Sequence, residues 1–252
     1  MSDLTGAKSD VEPQWGGGDV FISIGVWFGL QIVVAVVFVA AGGVDLEAGS
    51  DPATALDDIG VGWLAVFLVS GWIGWLLWPF IVVRTRGLGS FRRDLGWSIE
   101  RGDIWPGIVG GGTLLLVGIV VTLFWVLVTG GGDPPDNTQA VPEATSPLTF
   151  VVLFLLVAVA APIVEELFFR GFLLRVAAKK WSMPIGVVAS SLVFGLVHFQ
   201  GQGVGDLAIM SQLGLYGYVL GVLTVRRRGR LGAATIAHGI NNGMVVVLLT
   251  LS

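Results

Sequence analysis

The chain has no cysteine, only two histidines and two tyrosines, and few charges: 14 Lys and Arg with 18 Asp and Glu in 252 residues, or 13%. Without cysteine there can be no thiol nucleophile, disulfide or thiolate metal site. The charged fraction is about half the roughly 25% of ordinary soluble domains. With 54% hydrophobic residues and a mean hydropathy of +0.84, that scarcity leaves a polytopic membrane protein. No basic patch stands outside the loops, so nucleic-acid binding has no support. The net charge of −4 says little, because the charges are partitioned by side.

Apolar runs of about 17 to 25 residues are what crosses a hydrocarbon core some 30 Å thick. Seven are present: Val20–Ala41, Ile59–Val83, Ile104–Val128, Leu148–Phe172, Met183–Phe199, Leu207–Val225 and Leu231–Leu251. The expected fold is therefore all-α, a transmembrane helical bundle of about seven spans, with the lipid bilayer as its partner. It divides into a polar tail at 1–18, three N-terminal spans over 19–147 and four C-terminal spans over 148–252. Lys and Arg are retained on the cytoplasmic side of span ends. Arg84, Arg86, Arg92, Arg93 and Arg101 follow span two; Arg170, Arg175, Lys179 and Lys180 lie in or after span four; Arg226, Arg227, Arg228 and Arg230 follow span six. The alternate loops 42–58, 129–147 and 200–206 carry neither Lys nor Arg. A multi-pass protein of the cytoplasmic membrane is expected, with its N-terminus inside and its C-terminus outside. The tail bears Asp3, Lys8, Asp10 and Glu12 rather than a basic start, so span one reads as retained and not as a cleaved signal. Gly217-Tyr-Val-Leu-Gly221 has the small-xxx-small form, but in a chain with 38 glycines it reads as a chance match.

An ionisable side chain at the centre of a membrane helix costs about 2.5–3.5 kcal/mol on insertion scales, which makes such residues functional candidates. The set is short: Glu165, Glu166 and Arg170 in span four, His198 at the end of span five, and His238, Asn241 and Asn242 in span seven. Each has a plain structural reading. Glu166 and Arg170, four apart, share a helix face and can pair; His198 can be a packed histidine; His238 and Asn242 can hydrogen-bond across the bundle. Glu165, rotated about 100° from Glu166, needs a different partner. From Glu165 the chain descends about fourteen residues to Lys179 and Lys180 and climbs about fourteen back to His198, roughly 20 Å each way. His238 enters about eight residues beyond Arg230, roughly 12 Å up. If the hairpin around 175–182 projects about 8 Å further into the cytoplasm, as Arg175, Lys179 and Lys180 permit, one carboxylate and two imidazoles can converge in the cytoplasmic half of the bundle. A carboxylate at low dielectric can take a proton from water, imidazoles can ligate a metal or hold that water, and Asn or His donors can stabilise an oxyanion.

Glu165-Glu-Leu-Phe-Phe-Arg170 resembles an EExxxR motif, Phe194-Gly-Leu-Val-His198 an FxxxH motif and His238-Gly-Ile-Asn-Asn242 an HxxxN motif. In this order they resemble the CPBP (Abi) family, the CAAX-processing and bacteriocin-related intramembrane proteases. The resemblance covers about Leu148 to Ser252; the first three spans match only in being hydrophobic. It implies an intramembrane endopeptidase acting on a peptide or protein in or at the membrane, CAAX-like or bacteriocin-like. By the same resemblance Glu165 would activate water, His198 would position that water or ligate a metal, and His238 with Asn242 would form the oxyanion site. Glu166 and Arg170 would support the local structure, and Phe194 would pack beside His198. Glu165, His198 and His238 could hold a divalent metal such as zinc, while a metal-free glutamate mechanism is the other option; the sequence leaves both open.

Other hydrolase chemistries fit less well. There is no HExxH. Gly203-Val-Gly-Asp206 resembles the GxGD of aspartyl proteases, but no second Asp faces it, and Ser190, Ser191 and Ser211 read as helix-packing residues. A transporter or proton relay would also keep Glu, His and Arg in spans, and a non-catalytic immunity or scaffold protein could carry vestigial motifs. These two remain the rival readings.

Overall fold

A computed structural model describes residues 14–42, 60–131, 141–142, 144–201 and 203–251. The expectations for the polar tail and for the basic-free loops 42–58 and 129–147 fall largely outside these residues. The described residues form eight helices: α1 Gly17–Ala40, α2 Val61–Arg86, the single turn α3 Phe91–Asp94, α4 Arg101–Thr129, α5 Pro147–Lys180, α6 Met183–Leu196, α7 Gly205–Arg226 and α8 Gly232–Leu251.

The helix ends follow from local chemistry. Asp19 and Asp103 reach back to accept from the backbone N–H of Gly16 and Glu100, each at 2.9 Å, and so fix the starts of α1 and α4. Ser146 accepts from the N–H of Thr149, with Pro147 at the first helical position of α5. Gly130 closes α4 at a φ of 70°, a left-handed cap that glycine adopts without steric penalty.

Among the described residues, six helices are long and apolar enough to cross a membrane: α1, α2, α4, α5, α7 and α8. The fifth expected span, Met183–Phe199, is shorter than the sequence suggests. α6 has 14 residues, about 21 Å, and ends at Leu196. The reason lies in the His198 side chain, whose Nδ1 takes the Phe194 carbonyl at 2.6 Å while its backbone N–H turns to Gly195. The carbonyl that would continue the α-helix is thereby used by the ring.

Helices pack as α1 with α2, α6 with α7, and α4 with α8. The Gly217–Gly221 pattern, read above as chance, is a packing face. A Cβ on Gly217 would lie 2.9 Å from Ser191 Cα, and one on Gly221 3.0 Å from Val187 Cγ1. The apolar outer faces, including Phe28, Leu116, Phe124 and Leu127, are exposed, as expected of lipid-facing surface. An aromatic core joins the two halves of the chain. Trp75 of α2 meets Phe168 at 4.6 Å and Phe169 at 4.5 Å, and Phe169 meets Phe194 edge-on at 4.9 Å.

Several arginines read only as topological make specific contacts. Arg86 pairs with Asp19, and Arg230 with Glu100. Arg227 and Arg230 also reach the fully buried Asp103 at 2.8 and 3.1 Å. Arg175 donates to the Gly229 carbonyl at 2.6 Å. Together they tie α1 to α2, the start of α4 to the α7–α8 turn, and α5 to that same turn.

Candidate active site

The site is built around an irregular stretch of α5. Two π-helical segments, Phe154–Ala160 and Leu167–Leu173, flank the α-helical turn Ala161–Glu166 that carries both glutamates. Such segments recur at functional sites, where they re-aim side chains. Sequence and geometry agree on the cause of one feature here. In the π register Ala161 N–H reaches back five residues to the Leu156 carbonyl. The next donor in that register would serve Val157, but it is Pro162, which has no N–H. Asn242 of α8 supplies the missing donor, its Nδ2 lying 3.0 Å from the Val157 carbonyl.

Glu166 and Arg170 form the pair their spacing predicts, 2.9 Å apart with both side chains wholly buried. Arg170 also donates to the Gly217 carbonyl at 3.2 Å, and its guanidinium lies 4.5 Å from the centre of the Phe194 ring. A buried ion pair persists only with such extra partners. Glu166 Oε1 accepts a second contact, from His238 Nδ1 at 3.0 Å. His238 Nε2 faces Glu165 Oε2 at 3.6 Å. One imidazole therefore stands between the two adjacent carboxylates, and Glu165 has the separate partner that its rotation on the helix demanded.

His198, in the turn after α6, is half-buried. With Nδ1 donating to the Phe194 carbonyl, Nε2 is the nitrogen left to accept a hydrogen bond. Glu165 and His198 line one cavity of about 180 Å3. Phe194 packs against both histidines, with ring centres 4.9 Å from His198 and 5.7 Å from His238. The structure thus brings Glu165, Glu166, Arg170, His238 and Phe194 together, with His198 held against Phe194 and lining the same cavity as Glu165. Asn242 lies on the same helix as His238 but has one amide N–H committed to Val157.

The opposite wall comes from the N-terminal half, which the sequence analysis left as hydrophobic spans. Trp27 and Gln31 of α1 and Phe67, Gly71 and Trp75 of α2 complete the cavity. One signal could have marked it: Gln31 is a lone amide in the middle of the first apolar run.

Among the described residues, no three His, Asp or Glu side chains stand together as a metal-ligand set. Both ring nitrogens of His238 are turned to glutamates. As placed, the trio Glu165, His198 and His238 does not form a zinc site.

Residues 147–244 match the family described as Rce1-like, type II CAAX prenyl endopeptidase Rce1-like. The resemblance read from the three motifs holds over this segment, which contains all of them. The chain is 24% identical to the "Putative membrane peptidase YdiL" of Bacillus subtilis (strain 168) over 180 residues, 71% of this chain and 70% of that protein. It is also 35% identical over 86 residues to an "Uncharacterized 24.3 kDa protein" of Escherichia coli, a match covering 33% of this chain and 36% of that protein's length. No solved structure matches the chain at a significant level.

Proposed function

We propose that the protein is an intramembrane endopeptidase that hydrolyses a peptide bond with a water activated by Glu165. The observation that carries this reading is the shared cavity: Glu165 and His198 line it together, and His238 sits beside Glu165 with its other nitrogen on Glu166. The Rce1-like match over the same residues supports it.

In this mechanism Glu165 accepts a proton from water as the oxygen attacks the substrate carbonyl. His198 Nε2, its tautomer set by the Phe194 carbonyl, accepts the second hydrogen of that water and orients its lone pair. His238 in its protonated form offers an Nε2–H to the developing oxyanion, with Glu166 stabilising the imidazolium from behind. Asn242 has one N–H held by Val157 and a second to add to the same site. Glu165 then delivers its proton to the leaving amine, which restores the carboxylate and releases both peptide ends. Glu166 and Arg170 hold the imidazole and the helix in place.

The substrate is a peptide or protein in or at the membrane, CAAX-like or bacteriocin-like, presented from the cytoplasmic side of the cell membrane. With α6 as a seventh, shorter crossing between the basic segment 175–180 and the basic-free turn 200–206, the N-terminus lies inside and the C-terminus outside. Purified protein in detergent is tested on a quenched fluorogenic peptide library, as wild type, Glu165→Ala and His198→Ala, each with and without a chelator. Loss of cleavage in both variants with no effect of the chelator is the expected result. Chelator-sensitive cleavage would instead assign a metal. Cleavage unchanged in Glu165→Ala would sink the catalytic assignment and return the transporter and scaffold readings.

A further inference from the structure

The cavity that Glu165 and His198 line has a third polar side chain, and it comes from outside the segment that matches the family. Gln31 sits midway along α1, on a helix that is otherwise apolar between Ser23 and Ala40. An amide in that position is costly unless its donors and acceptor are used. Its Oε1 lies 2.8 Å from the Ser70 hydroxyl of α2, which is also 2.9 Å from the Phe67 carbonyl. With the oxygen engaged, the amide nitrogen is left. Nε2 stands beside Gly71, 3.7 Å from where a Cβ on that residue would be, so the missing side chain keeps the nitrogen uncovered. Nothing among the described residues accepts a hydrogen bond from it.

A donor fixed at one end, open at the other and facing an aromatic-walled cavity is suited to a neutral acceptor. Trp27 and Trp75 supply apolar walls, and no cation stands in the lining to favour a carboxylate. We propose that Gln31 is a substrate-binding residue, donating its amide N–H to a backbone carbonyl of the peptide held against Glu165 and His198. This rests on the endopeptidase reading. It assigns to α1 and α2 a part in recognition: the C-terminal helices carry the hydrolytic groups, and the N-terminal pair holds the chain to be cut.

A hydrogen bond made equally in the bound and transition states changes KM and not kcat. The test uses a peptide that the wild-type protein cleaves, with Gln31→Met, which keeps length and apolar packing but has no donor, and Gln31→Glu, which keeps an acceptor in place of the donor. The expected result is a rise in KM of about tenfold in both variants; in Gln31→Met, where the Ser70 hydroxyl keeps the Phe67 carbonyl, kcat stays within about twofold and the melting temperature is unchanged. Binding of the same peptide to the Glu165→Gln background, followed by quenching of tryptophan fluorescence, should weaken by the same factor when Gln31→Met is added. Wild-type KM in Gln31→Met, or in Gln31→Glu alone, overturns the donor assignment; so does a loss confined to melting temperature. Glu165→Ala separates the two ideas. If it abolishes cleavage while Gln31→Met leaves KM unchanged, only the present proposal fails. If it leaves cleavage intact, the endopeptidase reading fails as well.

Discussion

His238 turns its Nδ1 to Glu166 Oε1 at 3.0 Å, so the second glutamate of the adjacent pair sets which nitrogen faces the first. Glu166 is thus a positioning residue as well as the partner of Arg170. Glu166→Gln should lower kcat about a hundredfold, within the range that general acid–base groups supply, because a neutral amide no longer stabilises a protonated His238. Single-turnover cleavage with KM measured in parallel checks this, and an unchanged kcat would remove Glu166 from the mechanism.

Breaking that same pair from the other side tests the fold. Arg170→Ala leaves Glu166 as a buried, half-satisfied charge, a change that costs about 3–5 kcal/mol. Glu166→Ala leaves the converse. The double replacement Glu166→Leu with Arg170→Met should melt at a higher temperature than either single alanine variant, yet remain inactive. Thermal unfolding in detergent gives the comparison.

Asn242 and Pro162 form a pair that no sequence spacing announces. If Asn242 caps the Val157 carbonyl that Pro162 leaves without a donor, Asn242→Ala should destabilise by about 1–3 kcal/mol, the cost of an unsatisfied buried acceptor. Adding Pro162→Ala restores an N–H and should recover part of the loss. A double variant no more stable than Asn242→Ala alone would show that the carbonyl is not the link between them.

Glycine substitutions should separate sharply by what each faces. A Cβ on Gly74 would fall 2.4 Å from the backbone Cα of Trp27, which cannot yield without moving α1. Gly74→Ala should therefore cost about 1–3 kcal/mol and disturb the cavity wall. Gly112 has nothing within 4 Å, and Gly112→Ala should be neutral or slightly stabilising, by the better helix propensity of alanine.

The lack of any native cysteine makes orientation directly measurable. Single replacements Lys8→Cys and Ser252→Cys, treated in whole cells with a membrane-impermeant maleimide, should label at Ser252→Cys only; Lys8→Cys should label once the membrane is permeabilised. The reverse pattern would invert the topology.

Much of the site could be read in the chain because its key spacings lie within single helices. Glu166 and Arg170 pair because four residues bring the helix back to one face, and Phe194 meets His198 four residues on, in the turn that follows α6. The shortness of α6 is not legible in the chain: Met183–Phe199 is apolar apart from Ser190, Ser191 and His198, and a side-chain hydrogen bond from His198 takes the carbonyl that would extend the helix. Gly217 and Gly221 were passed over for a related reason, since nothing in a glycine-rich sequence says which glycines face another helix.

A helical membrane protein and the identity of its few intramembrane polar residues are both legible in the chain. Hydropathy and the cost of buried charge act residue by residue, and they leave their mark on composition. Which helix faces met was decided only by tertiary structure. Trp, Val and Leu serve equally against lipid and against protein, so apart from the lone amide of Gln31 no pattern along α1 or α2 distinguishes the cavity wall at Trp27 and Trp75 from the surface at Phe28 and Ile73. His238 reaches both glutamates, and Asn242 the Val157 carbonyl, because α5 packs against α8 and brings residues 72 to 85 positions apart into contact.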